Sequence, residues 1–125
     1  MNFRIIIGDI TLNGVLLENE TAQAVFEALP IESDFNTWGE EIYFSIPVDR
    51  ELEGGTMDVE VGDVAYWPAG KAFCVFFGRT PASGSDGKPV PASDVTLIGK
   101  MTDDATVLKN VASRKVRVEA APETA

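Results

Sequence analysis

The sequence predicts a mainly β domain, an antiparallel barrel that carries two helices. Short apolar segments alternate with a period of two along most of the chain. The helical period appears only twice, once early and once late. Parallel βαβ units would need a helix between most strands, so the order of elements favours antiparallel pairing. The 125 residues suit a single domain, read as residues 1–120 followed by a flexible tail over 121–125. A domain of this size buries roughly two-thirds of its unfolded surface, enough for one core without covalent staples.

Phe3, Ile5 and Ile7 alternate up to Gly8-Asp9, and Ile10 and Leu12 alternate after it. That is the pattern of a hairpin closed by a two-residue turn. Gly14 interrupts the second strand and marks an expected bulge. Over residues 20–29 the apolar positions become Ala22, Val25, Phe26 and Leu29, one stripe of a helix, with Glu20, Gln23 and Glu27 on the other face. Asn19 can cap it and Pro30 follows its end. Ile42, Phe44 and Ile46 then alternate as a strand, and so do Met57, Val59 and Val61. Val64–Trp67 and Ala72–Phe77 are apolar throughout, which predicts strands covered on both faces. Thr80 to Ser93 is rich in Pro, Gly and Ser and reads as a loop, either a functional segment or a surface insertion. Val95–Met101 is the next strand. Thr102 is the expected cap of a second helix, with Asp103 and Asp104 in its first turn, Lys109 near its end and Val107, Leu108 and Val111 as its apolar stripe. Val116 and Val118 predict a closing strand.

Composition excludes several kinds of chemistry. The chain has no histidine and one cysteine. It therefore has no Ser-His-Asp triad, no Cys-His dyad, no histidine metal ligand and no internal disulfide. No phosphate loop, calcium loop or dinucleotide fingerprint is present, and no cofactor or metal is expected. Ten Lys and Arg against 20 Asp and Glu leave a net charge of −10, which argues against nucleic acid and against an anionic membrane surface. Neither a secretory signal nor an apolar run of membrane-spanning length is seen, so a cytoplasmic location is expected, with Cys74 reduced and buried. The charge is uneven. Residues 1–63 hold 14 acids and two bases, and residues 64–125 hold six acids and eight bases. A barrel that interleaves the two halves relieves this imbalance better than two separate lobes.

Nine of the 11 aromatic residues lie between Phe35 and Phe77. Such clustering suits either a barrel core or a ligand groove. Trp38, Tyr43, Tyr66 and Trp67 carry polar handles that need partners if buried, whereas Phe44, Phe73 and Phe77 read first as core. Glu40 and Glu41 are adjacent, and adjacent strand residues point to opposite faces, so at most one of them enters a groove. Arg79 follows Gly78 at a strand end and can clamp an anion or form a surface ion pair.

Two stretches carry a resemblance. Asn36-Thr37-Trp38-Gly39-Glu40-Glu41-Ile42-Tyr43-Phe44 is followed by Pro47. Gly62-Asp63-Val64, Tyr66-Trp67-Pro68 and Gly70-Lys71-Ala72 lead to Phe76-Phe77-Gly78, with Thr80-Pro81 and Gly99-Lys100 further on. The chain resembles a family of small, largely uncharacterised prokaryotic proteins with a cyclophilin-like fold. That resemblance implies a closed eight-stranded antiparallel barrel with a helix near each end. Classical cyclophilins are prolyl isomerases with Phe-His-Arg before an Ile-Pro-like pair, and aligning on Ile46-Pro47 puts Phe44 in place of the arginine. Their Ser-Gln-Phe-Phe segment resembles Cys74-Val75-Phe76-Phe77, which lacks the glutamine. Val95 falls where they have a histidine, four residues before the glycine of Gly99-Lys100.

The resulting expectation is a module that binds a small molecule or peptide, without substantial isomerase activity. Its groove residues are expected to be Trp38, Glu40, Glu41, Tyr43, Tyr66, Trp67, Phe76 and Arg79. The alternative is an enzyme with Glu40 or Glu41 as base and Tyr43 or Tyr66 as acid, which includes residual isomerase activity. A homodimer joined through an exposed strand or the 80–93 loop is a third possibility.

Overall fold

The computed structural model describes residues 1–122. The chain forms nine strands in one antiparallel sheet that curls into a nearly closed barrel. The first hairpin pairs β1 (Asn2–Ile7) with β2 (Ile10–Leu16) through the Gly8-Asp9 turn, with Ile7 opposite Ile10. Helix α1 (Glu20–Glu27) follows, capped by the Asn19 side chain, which accepts from the Ala22 amide at 2.8 Å. Ala22 and Val25 are fully buried under it, and Phe26 and Leu29 are partly buried. Next come β3 (Ile31–Asp34), the short β4 (Asn36–Thr37) and β5 (Glu41–Ser45). Then β6 (Asp63–Trp67), β7 (Ala72–Phe76), β8 (Thr96–Met101) and β9 (Lys115–Ala120) complete the sheet. The order across it is β3-β9-β1-β2-β8-β6-β7-β5-β4.

The structure departs from the sequence expectations in four places. There are nine strands, not eight, because residues 31–37 supply two short strands that the irregular Ile31–Phe35 pattern does not advertise. Met57–Val61 is not a strand. Its alternation is real, since Val59 is buried while Met57 and Val61 are exposed, but the segment lies across the outside of the barrel and joins no ladder: Thr56 just before it bridges Val95, and the Glu60 carbonyl accepts only the amide of Asp63 in a local turn. Gly14 is not a bulge, because β2 stays in register with β1 there and the irregularity falls between Val64 and Ala65 on β6. A Cβ on Gly14 would lie 2.5 Å from Phe3 Cζ and 2.9 Å from the Lys100 carbonyl, so glycine is needed for close approach. The second helix is a 3-10 segment, Ala105–Asn110, capped by Asp104 rather than Thr102, with Asp103 outside it.

The interior holds Phe3, Ile5, Phe44, Tyr66, Phe73 and Ile98 among others. Phe73 anchors it, stacked on Phe44 at 5.3 Å and edge-on to Phe3 at 6.2 Å. A second, smaller apolar cluster lies on the outer face of β5, β6 and β7 and contains Ala65, Ala72, Cys74 and Phe76, covered by Val59 and Val95.

Seven of the nine ion pairs among the described residues join an acid of the first half to a base of the second, or the reverse. Glu32–Arg117, Asp34–Lys115 and Arg4–Glu119 tie β3, β9 and β1 together. Arg50–Glu20 and Arg117–Glu119 stay within one half. Ala121 donates its backbone N–H to the Asn2 carbonyl, and residues 123–125 of the expected tail lie outside the described residues.

Replacing Gly14 with valine forces the Phe3 ring out of the core. The expected loss is about 2 kcal/mol of stability, read as a lower urea midpoint with an unchanged m value.

Candidate functional site

The strand pleat decides which aromatic residues face outward. On β5, Glu41 and Tyr43 point to the outer face, and Ile42 and Phe44 point into the barrel. The register sets Tyr43 beside Cys74 and Cys74 beside Ala65, while Trp67 pairs with Ala72 and Glu41 with Phe76. Small residues at Ala65, Ala72 and Cys74 leave room above them. Tyr43 and Trp67 occupy the flanks, their rings 6.4 Å apart and nearly perpendicular at 83°. Trp38 closes a third side. The loop residues Pro91, Ala92 and Val95 close the rest of a cleft of roughly 230 Å³.

Several contacts hold the walls in place. The Trp67 indole donates to Ser93 Oγ at 2.7 Å, which ties the loop to the ring. Its six-membered edge lies over Gly70, where a Cβ would come within 2.9 Å of the ring. The Trp38 amide donates to the Glu41 carbonyl at 2.9 Å across the turn between β4 and β5. The 80–95 segment is itself folded: Thr80 Oγ1 donates to the Val90 carbonyl at 2.6 Å and Ser83 Oγ to the Lys88 carbonyl at 2.7 Å. Lys88 bridges Asp58 and Glu60, so both covering segments are joined over the outer cluster.

Glu41 is the unusual group. Only 6% of the residue is exposed, and no ion pair among the described residues includes it. Burial pushes its pKa up to about 7, opposed by the neighbouring Cys74 thiol. Burial and the Glu41 charge together push the Cys74 thiol well above its ordinary value, so it stays protonated.

Four of the eight residues singled out from sequence thus share one cleft: Trp38, Glu41, Tyr43 and Trp67. The other four lie elsewhere. Tyr66 is fully buried inside the barrel, where its hydroxyl donates to the Val48 carbonyl at 2.6 Å and accepts the Arg50 amide at 3.2 Å. Phe76 is fully buried in the outer cluster and does not line the cleft. Glu40 turns the other way, accepting the Arg79 amide and pairing with Lys109 at 3.5 Å. Arg79 donates its guanidinium to the Gly84 carbonyl at 3.1 Å. Sequence reasoning missed Pro91, Ala92 and Val95 as lining residues, because their place depends on how a long loop folds back. No cluster of potential metal ligands occurs among the described residues, and no helix there is long and apolar enough to cross a membrane.

The model of the cyclophilin-like family matches residues 1–119. The chain belongs to the cyclophilin-like family. It is also similar to a hypothetical protein from Archaeoglobus fulgidus whose solution structure is known. The two share 44% identity over 97% of this chain and 95% of that one, with a TM-score of 0.78. No curated protein matches the chain. Within this cyclophilin-like barrel, Phe44 and Val75 face the interior, so the alignment that sets Phe44 against the classical arginine selects a residue off the cleft. The cleft face of β5 carries Glu41 and, one position before Phe44, Tyr43. Neither residue is an arginine, and Val95 does line the cleft.

Between about pH 4.5, the ordinary carboxyl value, and about 7, folded Glu41 keeps a proton that the unfolded chain has released. Stability therefore falls as pH rises through that window and levels off above it. Glu41→Gln removes this component. Urea titrations are expected to show the variant more stable than the parent at pH 8, by about 3 kcal/mol, and equal to it at pH 4.

Proposed function

We propose that this cyclophilin-like barrel binds a small molecule, or one side chain of a peptide, in the cleft between Trp38, Tyr43 and Trp67, without substantial prolyl isomerase activity. The observation that carries this reading is the convergence of two indoles, a phenol and one buried carboxyl on a single outward cleft. Rigid aromatic walls with few polar groups are the general composition of ligand sites. The volume is below the roughly 300 Å³ at which drug-sized sites begin, which fits a small head group. Isomerisation gains from a cation that stabilises the twisted amide. The lining includes no Lys or Arg.

An acid–base enzyme is the second reading, favoured by a Glu41 pKa near neutrality. Of the candidate pairs only Glu41 and Tyr43 share the cleft, and no hydrogen bond joins them, so binding is preferred over a Glu–Tyr proton relay.

A calorimetric and thermal-shift screen of metabolites and Pro-containing peptides tests the proposal. A ligand is expected whose affinity falls about tenfold or more in Trp67→Ala and in Trp38→Ala. Unchanged affinity in both variants would place binding elsewhere. A protease-coupled assay is expected to show no isomerase turnover, and turnover that disappears in Glu41→Gln would favour the enzyme.

A further inference from the structure

The chemistry of the cleft narrows what it can hold, provided the cleft is a binding site as proposed above. We propose that its ligand class is a small alkylated ammonium, a quaternary or N-methylated amine head group held between the Tyr43 and Trp67 rings with Glu41 as counter-charge.

Two perpendicular rings with centroids 6.4 Å apart form a corner, and Trp38 lines the same space. Aromatic faces carry negative potential and attract a cation whose alkyl groups pack against them. Glu41 supplies the formal charge. It is a buried carboxylate at the cleft with no internal cation, and such a charge is costly unless it is paired. A ligand cation supplies the partner that the fold does not.

Other ligand classes meet specific obstacles. An anion would face Glu41 with no Lys or Arg in the lining. A hard metal ion needs several oxygen ligands, and the lining offers one carboxylate. A primary ammonium has three N–H donors and a guanidinium five, and one carboxylate among aromatic and aliphatic walls leaves most of them without acceptors. An alkylated ammonium has few or no N–H donors to satisfy, and its methyl groups gain from burial. The net charge of −10 further raises the local concentration of cations.

Occupancy is expected to depend on pH. The other titratable groups facing Glu41 are Tyr43 on its own strand and Cys74 on β7, while the loop residues Pro91, Ala92 and Val95 carry none. Burial holds the Cys74 thiol protonated, so ionisation of Glu41 sets the trend. Affinity for the cation rises as Glu41 loses its proton near pH 7.

The test titrates tetramethylammonium and choline against the whole protein at constant ionic strength, at pH 6 and pH 8. The control is dimethylbutanol, the neutral carbon isostere of choline. Binding is read by NMR at the indole N–H signals of Trp38 and Trp67. Choline is expected to shift both signals with an affinity about tenfold or more above that of the isostere, higher at pH 8 than at pH 6. Glu41→Gln, a near-isosteric change expected to fold, is expected to erase both the preference and the pH trend. Equal binding of the isostere, or unchanged choline affinity in Glu41→Gln, overturns the cation assignment and leaves the aromatic cleft as a neutral-ligand site. Choline binding without movement of either indole signal places it outside the cleft and overturns the proposal. Absence of choline binding at millimolar concentration overturns it as well, and the broader screen with Trp67→Ala then decides whether the cleft binds anything.

Discussion

Strand β7 has no face left for solvent, and the arrangement of the outer layer follows from that. All five of its residues are buried: Phe73 and Val75 inside the barrel, Ala72, Cys74 and Phe76 outside it. Strands covered on both faces need a second layer of apolar cover. Here the cover is loop rather than helix. Residues 53–62 bring Val59 to the outer face, and residues 80–95 bring Val95. The Thr56–Val95 bridge and the Lys88 ion pairs join the two segments to each other, and the Trp67–Ser93 hydrogen bond ties them to the sheet. The cleft is the part of this outer layer that remains open. Its walls stand because Tyr43 and Trp67 flank the small residues Ala65, Ala72 and Cys74.

The same cover accounts for the chemistry of Glu41. A carboxylate on an ordinary barrel exterior meets water and keeps its usual pKa. Glu41 sits opposite Phe76 at the edge of an apolar layer, so it pays a desolvation cost without an internal cation to offset it. Glu40, its neighbour in sequence, turns to the other face and finds Lys109 and the Arg79 amide. Glu41 opens β5 and Glu40 stands in the bend just before it, and their side chains leave on opposite faces.

Charge plays a quieter part. The acidic first half and the mildly basic second half meet along β3, β9 and β1, in pairs that are largely exposed and individually contribute little stability. Their value lies in register. Glu32 opposite Arg117 and Asp34 opposite Lys115 favour the observed pairing of β3 with β9, whereas a one-residue slip would move every side chain to the other face.

Much of this protein was legible in its residues. Period-two alternation identified most strands, Asn19 and the stripe from Ala22 to Leu29 identified α1, and the apolar run Ala72–Phe77 identified a strand covered on both sides. These signals are local, so a single chain carries them. The motif resemblance supplied the family, and the absence of histidine excluded imidazole chemistry outright. Alternation misled at Met57–Val61, because period two records which residues are buried and not whether a neighbouring backbone is there to pair with. The site was half legible. Trp38, Glu41, Tyr43 and Trp67 could be named as candidates, but Tyr66 could not be separated from them, since its pairing with the Val48 carbonyl joins residues 18 positions apart. The lining by Pro91 and Ala92 had no sequence signal at all. The sequence by itself determined most of the element types, the candidate aromatic residues and the excluded chemistries. Only the tertiary structure decided which face each aromatic takes and that Glu41 is left without a cationic partner, because both depend on long-range strand register and on where two irregular loops come to rest.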